Sequence, residues 1–189
     1  DVMSRIRHTA LLFPGVVMLF AMSGFLVSAS FERAKTRKEF FLKRAFRIYP
    51  ELWICTIIYL TIVCILVPAL LDRSIFLWIL TQFFGIANTP ACLEALPTGS
   101  VNGALWTVFT EVQLYIILGV IYPFLRKMKN WHWTLLLCAL AASNLVCGSV
   151  ARDAGGIAAK LIERIFLPYA LWFFIGVFCF QRRQKMLPV

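Results

Sequence analysis

Acidic residues and histidines are scarce in this chain, which has 9 Asp and Glu and 2 His among its 189 residues. Its six cysteines form no Cys-x-x-Cys pair and no Cys/His spacing of the kind that holds zinc. Most of them lie inside apolar runs, where a thiol behaves as a small hydrophobic side chain. The sequence therefore favours neither a bound metal nor a disulfide framework.

Charged residues make up only 15% of the chain, whereas hydrophobic residues make up 61% and the mean hydropathy is +0.81. Ordinary soluble domains are about half apolar. Several apolar runs approach the roughly 20 residues that a helix needs to cross a hydrocarbon core of about 30 Å. The sequence predicts an all-α, polytopic transmembrane helix bundle that lies in the cell membrane among its lipids.

Five apolar runs are predicted to cross the membrane within a single partial domain, 1–189. They are residues 9–31, 49–71, 104–125, 131–150 and 161–180. Pro50 is expected in the first turn of the second span, where its missing amide costs little. A further run, 74–87, is short and is predicted to form an interfacial or re-entrant helix.

Basic residues give the chain a net charge of +10, and they fall in short tracts between the apolar runs. Most lie in three tracts on one predicted side of the membrane: 32–47, 126–129 and 182–185. Cytoplasmic loops carry such an excess of Lys and Arg. The charge therefore predicts the orientation of the chain, with these tracts inside, and does not indicate a nucleic-acid partner.

Arg44 and Arg47 stand in the stretch KRAFRIYPELW at the inner boundary of the second span. Their spacing places both side chains on one face of a helix. A guanidinium presents a rigid fork that matches phosphate oxygens and keeps its charge. The pair is suited to dock a phosphorylated ligand, but juxtamembrane basic residues also fix topology or contact anionic lipids.

Glu111 is a charged residue inside an apolar span, where such residues face the protein interior and often mark a functional site. Helical spacing places Thr107, Thr110, Glu111 and Tyr115 in one polar stripe. The stripe is suited to line a cavity for a hydroxyl acceptor or to orient a histidine. A structural hydrogen bond between helices is the alternative. Glu111 and the arginine pair are expected at opposite ends of the membrane.

Four stretches together resemble the acyltransferase 3 family of integral membrane acyltransferases. They read FAMSGFLVS, FFLKRAFRIYPELW, NGALWTVFTEVQLYIIL and LPYALWFFIGVFCF. The matching positions are Ser23 to Leu26, Arg44, Arg47, Ile48, Pro50, Leu105 to Thr107, Glu111 and Tyr115. Their order and spacing agree with the family pattern.

The resemblance implies an enzyme that moves an acyl group, most often acetyl, from acyl-CoA to a hydroxyl of a carbohydrate or cell-surface glycan. It implies Glu111 as a catalytic residue and a set of substrate-binding residues. That set is Arg44, Arg47, Ser23, Trp106, Thr107 and Tyr115. Ser23 is equally suited to close helix packing, and Trp106 to anchoring the helix at the membrane interface. Acyl-CoA is then a donor substrate, and no bound cofactor or metal is implied.

Members of this family also carry a catalytic histidine on a first helix, and neither His8 nor His132 matches its position. They have further helices as well. The sequence is therefore expected to be a fragment that lacks the first and the later helices and is inactive alone. The alternative is a membrane transporter or scaffold, or a degenerate acyltransferase that only binds.

Overall fold

The structure is a computed structural model that describes residues 15–66, 73–83, 105–154 and 165–186. Within these ranges the regular secondary structure is entirely helical, which confirms the all-α class. The helices are α1 (Gly15–Arg33), α2 (Arg37–Leu66), α3 (Ser74–Phe83), α4 (Leu105–Leu125), α5 (Asn130–Ala154) and α6 (Leu167–Met186).

Four of the described helices, α1, α2, α4 and α5, are long and apolar enough to cross a membrane. They correspond to four of the five predicted spans. The fifth, 161–180, corresponds to α6, which is less apolar because it ends in the polar sequence QRRQKM. The 10 residues of α3 measure about 15 Å at the usual helical rise, half the thickness of the hydrocarbon core.

The second helix begins at Arg37, well before the start predicted at residue 49. The amide of Glu39 donates a hydrogen bond to Thr36 Oγ1 at 3.1 Å, so Thr36 caps the helix. The carboxylate of Glu39 also pairs with Lys43 one turn later, at 2.7 Å. Pro50 consequently lies inside the helix, and its predicted place in the first turn is wrong.

The chain divides into two compact units, one of Asp1–Lys35 with Ile117–Val189 and the other of Thr36–Ile116. In the first unit, α1 and α6 pack side by side and run parallel. The rings of Phe20 and Tyr169 stack near the starts of the two helices, with centroids 5.0 Å apart. α5 packs antiparallel on α6, because Trp133 meets Phe178 and Asn144 donates a hydrogen bond to the carbonyl of Pro168.

The C-terminal ends of α1, α4 and α6 meet in a polar cluster of the first unit. Tyr122 donates its hydroxyl to Glu32 Oε1 at 3.0 Å, and Arg183 Nη2 contacts Glu32 Oε2 at 3.2 Å. Arg183 also lies over the ring of Phe180, 3.8 Å from its centroid. The structure thus brings together the ends of the three helices whose basic flanks the sequence assigns to the inner side.

Glycines allow α1 and α6 to approach each other closely. A Cβ atom on Gly24 would overlap the backbone carbonyl of Phe173, and one on Gly176 would overlap that of Ala21. Small residues at helix interfaces in membranes have this role, since dispersion contacts between backbones drive association there.

Gly24→Ala is expected to destabilise the protein by about 1–3 kcal/mol, because the added methyl group must push two helix backbones apart. Gly148→Ala is the matched control, since a Cβ at Gly148 meets no atom within 4 Å. Thermal unfolding of the detergent-solubilised protein measures both. Equal midpoints for the two variants would contradict the close packing of α1 on α6.

The second unit contains α2, α3 and the first part of α4. Trp78 of α3 is 1% exposed and faces Tyr59 of α2, with ring centroids 6.0 Å apart. α3 therefore packs its aromatic face on the later turns of α2. The earlier turns of α2 carry the two arginines singled out in the sequence.

Candidate active site

Four polar residues of α4 form a stripe along one side of the helix. Thr107, Glu111 and Tyr115 follow at intervals of four residues and so lie one above another. Thr110, beside them, is fully buried. The stripe expected from the sequence therefore exists in the second unit, with Glu111 half-buried at its middle.

Tyr115 and Glu111 are joined directly. The hydroxyl of Tyr115 donates a hydrogen bond to Glu111 Oε1 at 2.9 Å. Tyr115 is 4% exposed, so its packing fixes the direction of this hydroxyl. A hydrogen bond to a carboxylate is stronger than one between neutral groups, and it favours one orientation of the Glu111 side chain.

Arg44 of α2 lies against the same tyrosine. Its guanidinium carbon is 5.8 Å from the centroid of the Tyr115 ring, within the range of a cation–π interaction. Arg44 is half-buried, whereas Arg47, one turn further along α2, is exposed. The two arginines thus differ in environment, and Arg44 is the one that contacts the α4 stripe.

This contact differs from the predicted placement of Arg44 relative to Glu111. The sequence suggested that Arg44 and Glu111 lie at opposite ends of the membrane. Instead, one tyrosine touches both of them. The expectation is wrong because α2 packs on α4 where Arg44 meets Tyr115, and this contact joins helices that are distant in sequence.

The other predicted site residues are Thr107, Trp106 and Ser23. Thr107 is half-buried on the same face of α4 as Glu111. The side chain of Trp106 falls outside the described residues. Ser23 belongs to the first unit, where it is 8% exposed and adjoins Gly24 at the contact with α6.

His132 belongs to the first unit, where its ring centroid is 3.8 Å from that of Trp131 at the start of α5. His8 lies outside the described residues. In the part of the chain that the structure describes, no three His, Cys, Asp or Glu side chains converge as metal ligands would. Among the described residues of the second unit, an arginine, a tyrosine and a glutamate of the predicted site lie together.

The three side chains offer complementary chemistry over a short distance. Arg44 supplies a permanent cation with five N–H donors, suited to phosphate oxygens. Glu111 supplies a carboxylate, which accepts several hydrogen bonds and stabilises a developing positive charge. Such a set can hold an anionic ligand on one side and serve proton transfer on the other.

Comparison with known proteins gives this chemistry a context. The family model of the acyltransferase domain, acyltransferase 3, matches residues 2–186. The chain is 31% identical over 130 residues to Nodulation protein 10 of Rhizobium leguminosarum bv. viciae, covering 62% of this chain and 35% of that protein. It is 30% identical over 156 residues to the O-acetyl transferase of Shigella phage Sf6, covering 73% of this chain and 42% of that protein.

No solved structure matches the chain significantly. The chain spans less than half the length of both relatives, 35% of one and 42% of the other. The family model nevertheless covers nearly the whole sequence, and the residues on which the resemblance rests lie inside the matched region. The chain belongs to the acyltransferase 3 family of integral membrane proteins.

Proposed function

We propose that the protein containing this chain is a membrane O-acyltransferase that moves an acetyl group from acetyl-CoA to a hydroxyl of a carbohydrate. Family membership supports acyl transfer in general, and the likeness to an O-acetyl transferase favours acetyl and an oxygen acceptor. The observation on which the proposal rests is the contact of Tyr115 with both Arg44 and Glu111, because it joins an anion-binding group to a carboxylate.

Arg44 and Arg47 form the donor side of the proposed site. Coenzyme A carries several phosphate groups, and the guanidinium fork binds such oxygens in pairs. Acyl-CoA is made in the cytoplasm, and the positive-inside rule assigns the start of α2 to that side. In this proposal both arginines bind donor phosphates, and Arg44, which lies against Tyr115, holds the ligand beside the α4 stripe.

Glu111 forms the reacting side. The acceptor hydroxyl attacks the thioester carbonyl, so that a C–O bond forms and the C–S bond breaks. The hydroxyl proton passes to a general base, a histidine in the family pattern, and from there to the departing CoA sulfur. Glu111 accepts a hydrogen bond from that base and offsets the positive charge that it gains. Thr107, on the same face, contacts the acceptor.

Acyl transfer can be tested with the protein expressed from the complete open reading frame that contains this sequence. In liposomes with radiolabelled acetyl-CoA and a bacterial surface glycan, label is expected in alkali-labile esters on the glycan. The Glu111→Gln protein, present at the same amount, is the control for background acetylation. If the protein carries labelled CoA or glycan across the bilayer without forming an ester, it is a transporter and the proposal is wrong.

A further inference from the structure

Tyr115 contacts Glu111 and Arg44 with two different parts of its side chain. Its hydroxyl donates to Glu111 Oε1 at 2.9 Å, and its ring faces the Arg44 guanidinium at 5.8 Å. The side chain is 4% exposed, so it has little freedom to turn away from either neighbour. Arg44 lies on α2, and Glu111 lies on α4, which is distant in sequence. Tyr115 contacts both side chains.

We propose that Tyr115 is a positioning residue for acyl transfer, which sets the distance between the donor-phosphate arginine and the catalytic carboxylate. This inference rests on the proposed function of the site. The hydroxyl selects one orientation of the Glu111 carboxylate. The ring supports the guanidinium of Arg44 through the face of the cation, and a cation–π interaction does not use the hydrogen-bond donors of the guanidinium.

A positioning residue matters because the rate of group transfer depends strongly on how the reacting groups are aligned. A misplacement of about 1 Å between reacting groups can reduce a rate by roughly 100-fold. Arg44 and Glu111 have long side chains with several rotatable bonds, whereas a buried tyrosine is rigid. One rigid ring between two flexible side chains therefore restricts both at once.

The two interactions can be removed one after the other. Tyr115→Phe keeps the ring beside Arg44 and removes the hydroxyl from Glu111. Tyr115→Leu fills a similar part of the core and removes both. Tyr122→Phe is the matched control, because Tyr122 lies on the same helix, is 2% exposed and also donates its hydroxyl to a glutamate, Glu32, at 3.0 Å. That pair belongs to the other unit of the chain.

The experiment measures kcat, the KM for acetyl-CoA and the equilibrium affinity for CoA itself with the complete protein in detergent, corrected for the folded fraction. Tyr115→Phe is expected to lower kcat roughly 10-fold and to leave the CoA affinity unchanged. Tyr115→Leu is expected to lower kcat at least as much and to weaken CoA binding about 2- to 5-fold, the usual strength of a cation–π contact. Tyr122→Phe is expected to change neither quantity.

The possible results distinguish an error in the inference about Tyr115 from an error in the proposed function. If Tyr115→Phe retains full kcat while Glu111→Gln does not, the inference about Tyr115 is wrong and the proposed function stands. A purely structural role predicts that Tyr115→Phe and Tyr122→Phe lower the folded fraction alike and leave the kinetics of the folded protein unchanged, which also overturns the inference. If Arg44→Lys and Glu111→Gln are both as active as the wild type, the proposed function itself is wrong.

Discussion

Glu111→Gln is expected to lower kcat by about 100- to 10,000-fold, because loss of the carboxylate that pairs with a catalytic histidine can reduce kcat by up to roughly 10,000-fold. Glutamine keeps the size of the side chain and still accepts a hydrogen bond from Tyr115, so α4 should pack unchanged. It carries no charge, however, and so cannot stabilise the protonated base during attack. Initial rates of ester formation at saturating acetyl-CoA measure the effect.

Glu32→Gln is the control for this substitution. Glu32 also accepts a hydroxyl hydrogen bond, from Tyr122, but it lies in the first unit and pairs with Arg183. This ion pair is partly exposed, and its loss is expected to cost at most about 1 kcal/mol of stability. Folded Glu32→Gln should therefore keep its kcat. Comparable losses of kcat in both variants would mean that Glu111 has no special role.

Arg44→Lys is expected to weaken the binding of CoA by roughly 10- to 150-fold, because a charge-assisted hydrogen bond contributes about 1.5–3 kcal/mol. Lysine retains the positive charge and thus the signal for membrane orientation, but it loses the guanidinium fork and most of the ring contact. Arg47→Lys should weaken binding too, by less, since Arg47 is exposed. Displacement of a fluorescent CoA from the solubilised protein gives the affinities.

Arg37→Lys provides the matched control, because it makes the same chemical change at the exposed first residue of the same helix. Its CoA affinity should equal that of the wild type. The three lysine variants should also insert in the same orientation, which protease protection of membrane vesicles can establish. If Arg44→Lys inserts correctly and binds CoA as well as Arg37→Lys does, the arginines only fix topology.

The helical class and most of the spans could be predicted because each depends on local composition. An apolar run of about 20 residues allows few structures in a bilayer other than a helix. The start of α2 was missed although a local signal was present: Thr36 and Glu39 have the spacing of a capping box, followed by an i,i+4 pair to Lys43. A helix that starts at this cap contains Pro50 in its interior.

The side chains of the candidate site could be singled out from the sequence one by one, but their contacts with each other could not all be predicted. Glu111 was conspicuous as a charge in an apolar helix, and its bond to Tyr115 follows from their spacing of four residues. The contact of Arg44 with Tyr115 depends on how two distant helices pack, and nothing in the sequence around either residue encodes it. The same holds for the cluster of Glu32, Tyr122 and Arg183, whose members come from three helices.

The measurement that most directly tests the central claim is an electron cryo-microscopy structure of the complete protein with CoA bound. The account predicts a CoA phosphate oxygen within hydrogen-bond distance of the Arg44 guanidinium, the Tyr115 hydroxyl still on Glu111, and the CoA sulfur directed toward Glu111. CoA bound away from α2, or Arg44 and Glu111 turned to opposite sides of the membrane with Tyr115 touching neither, would contradict it.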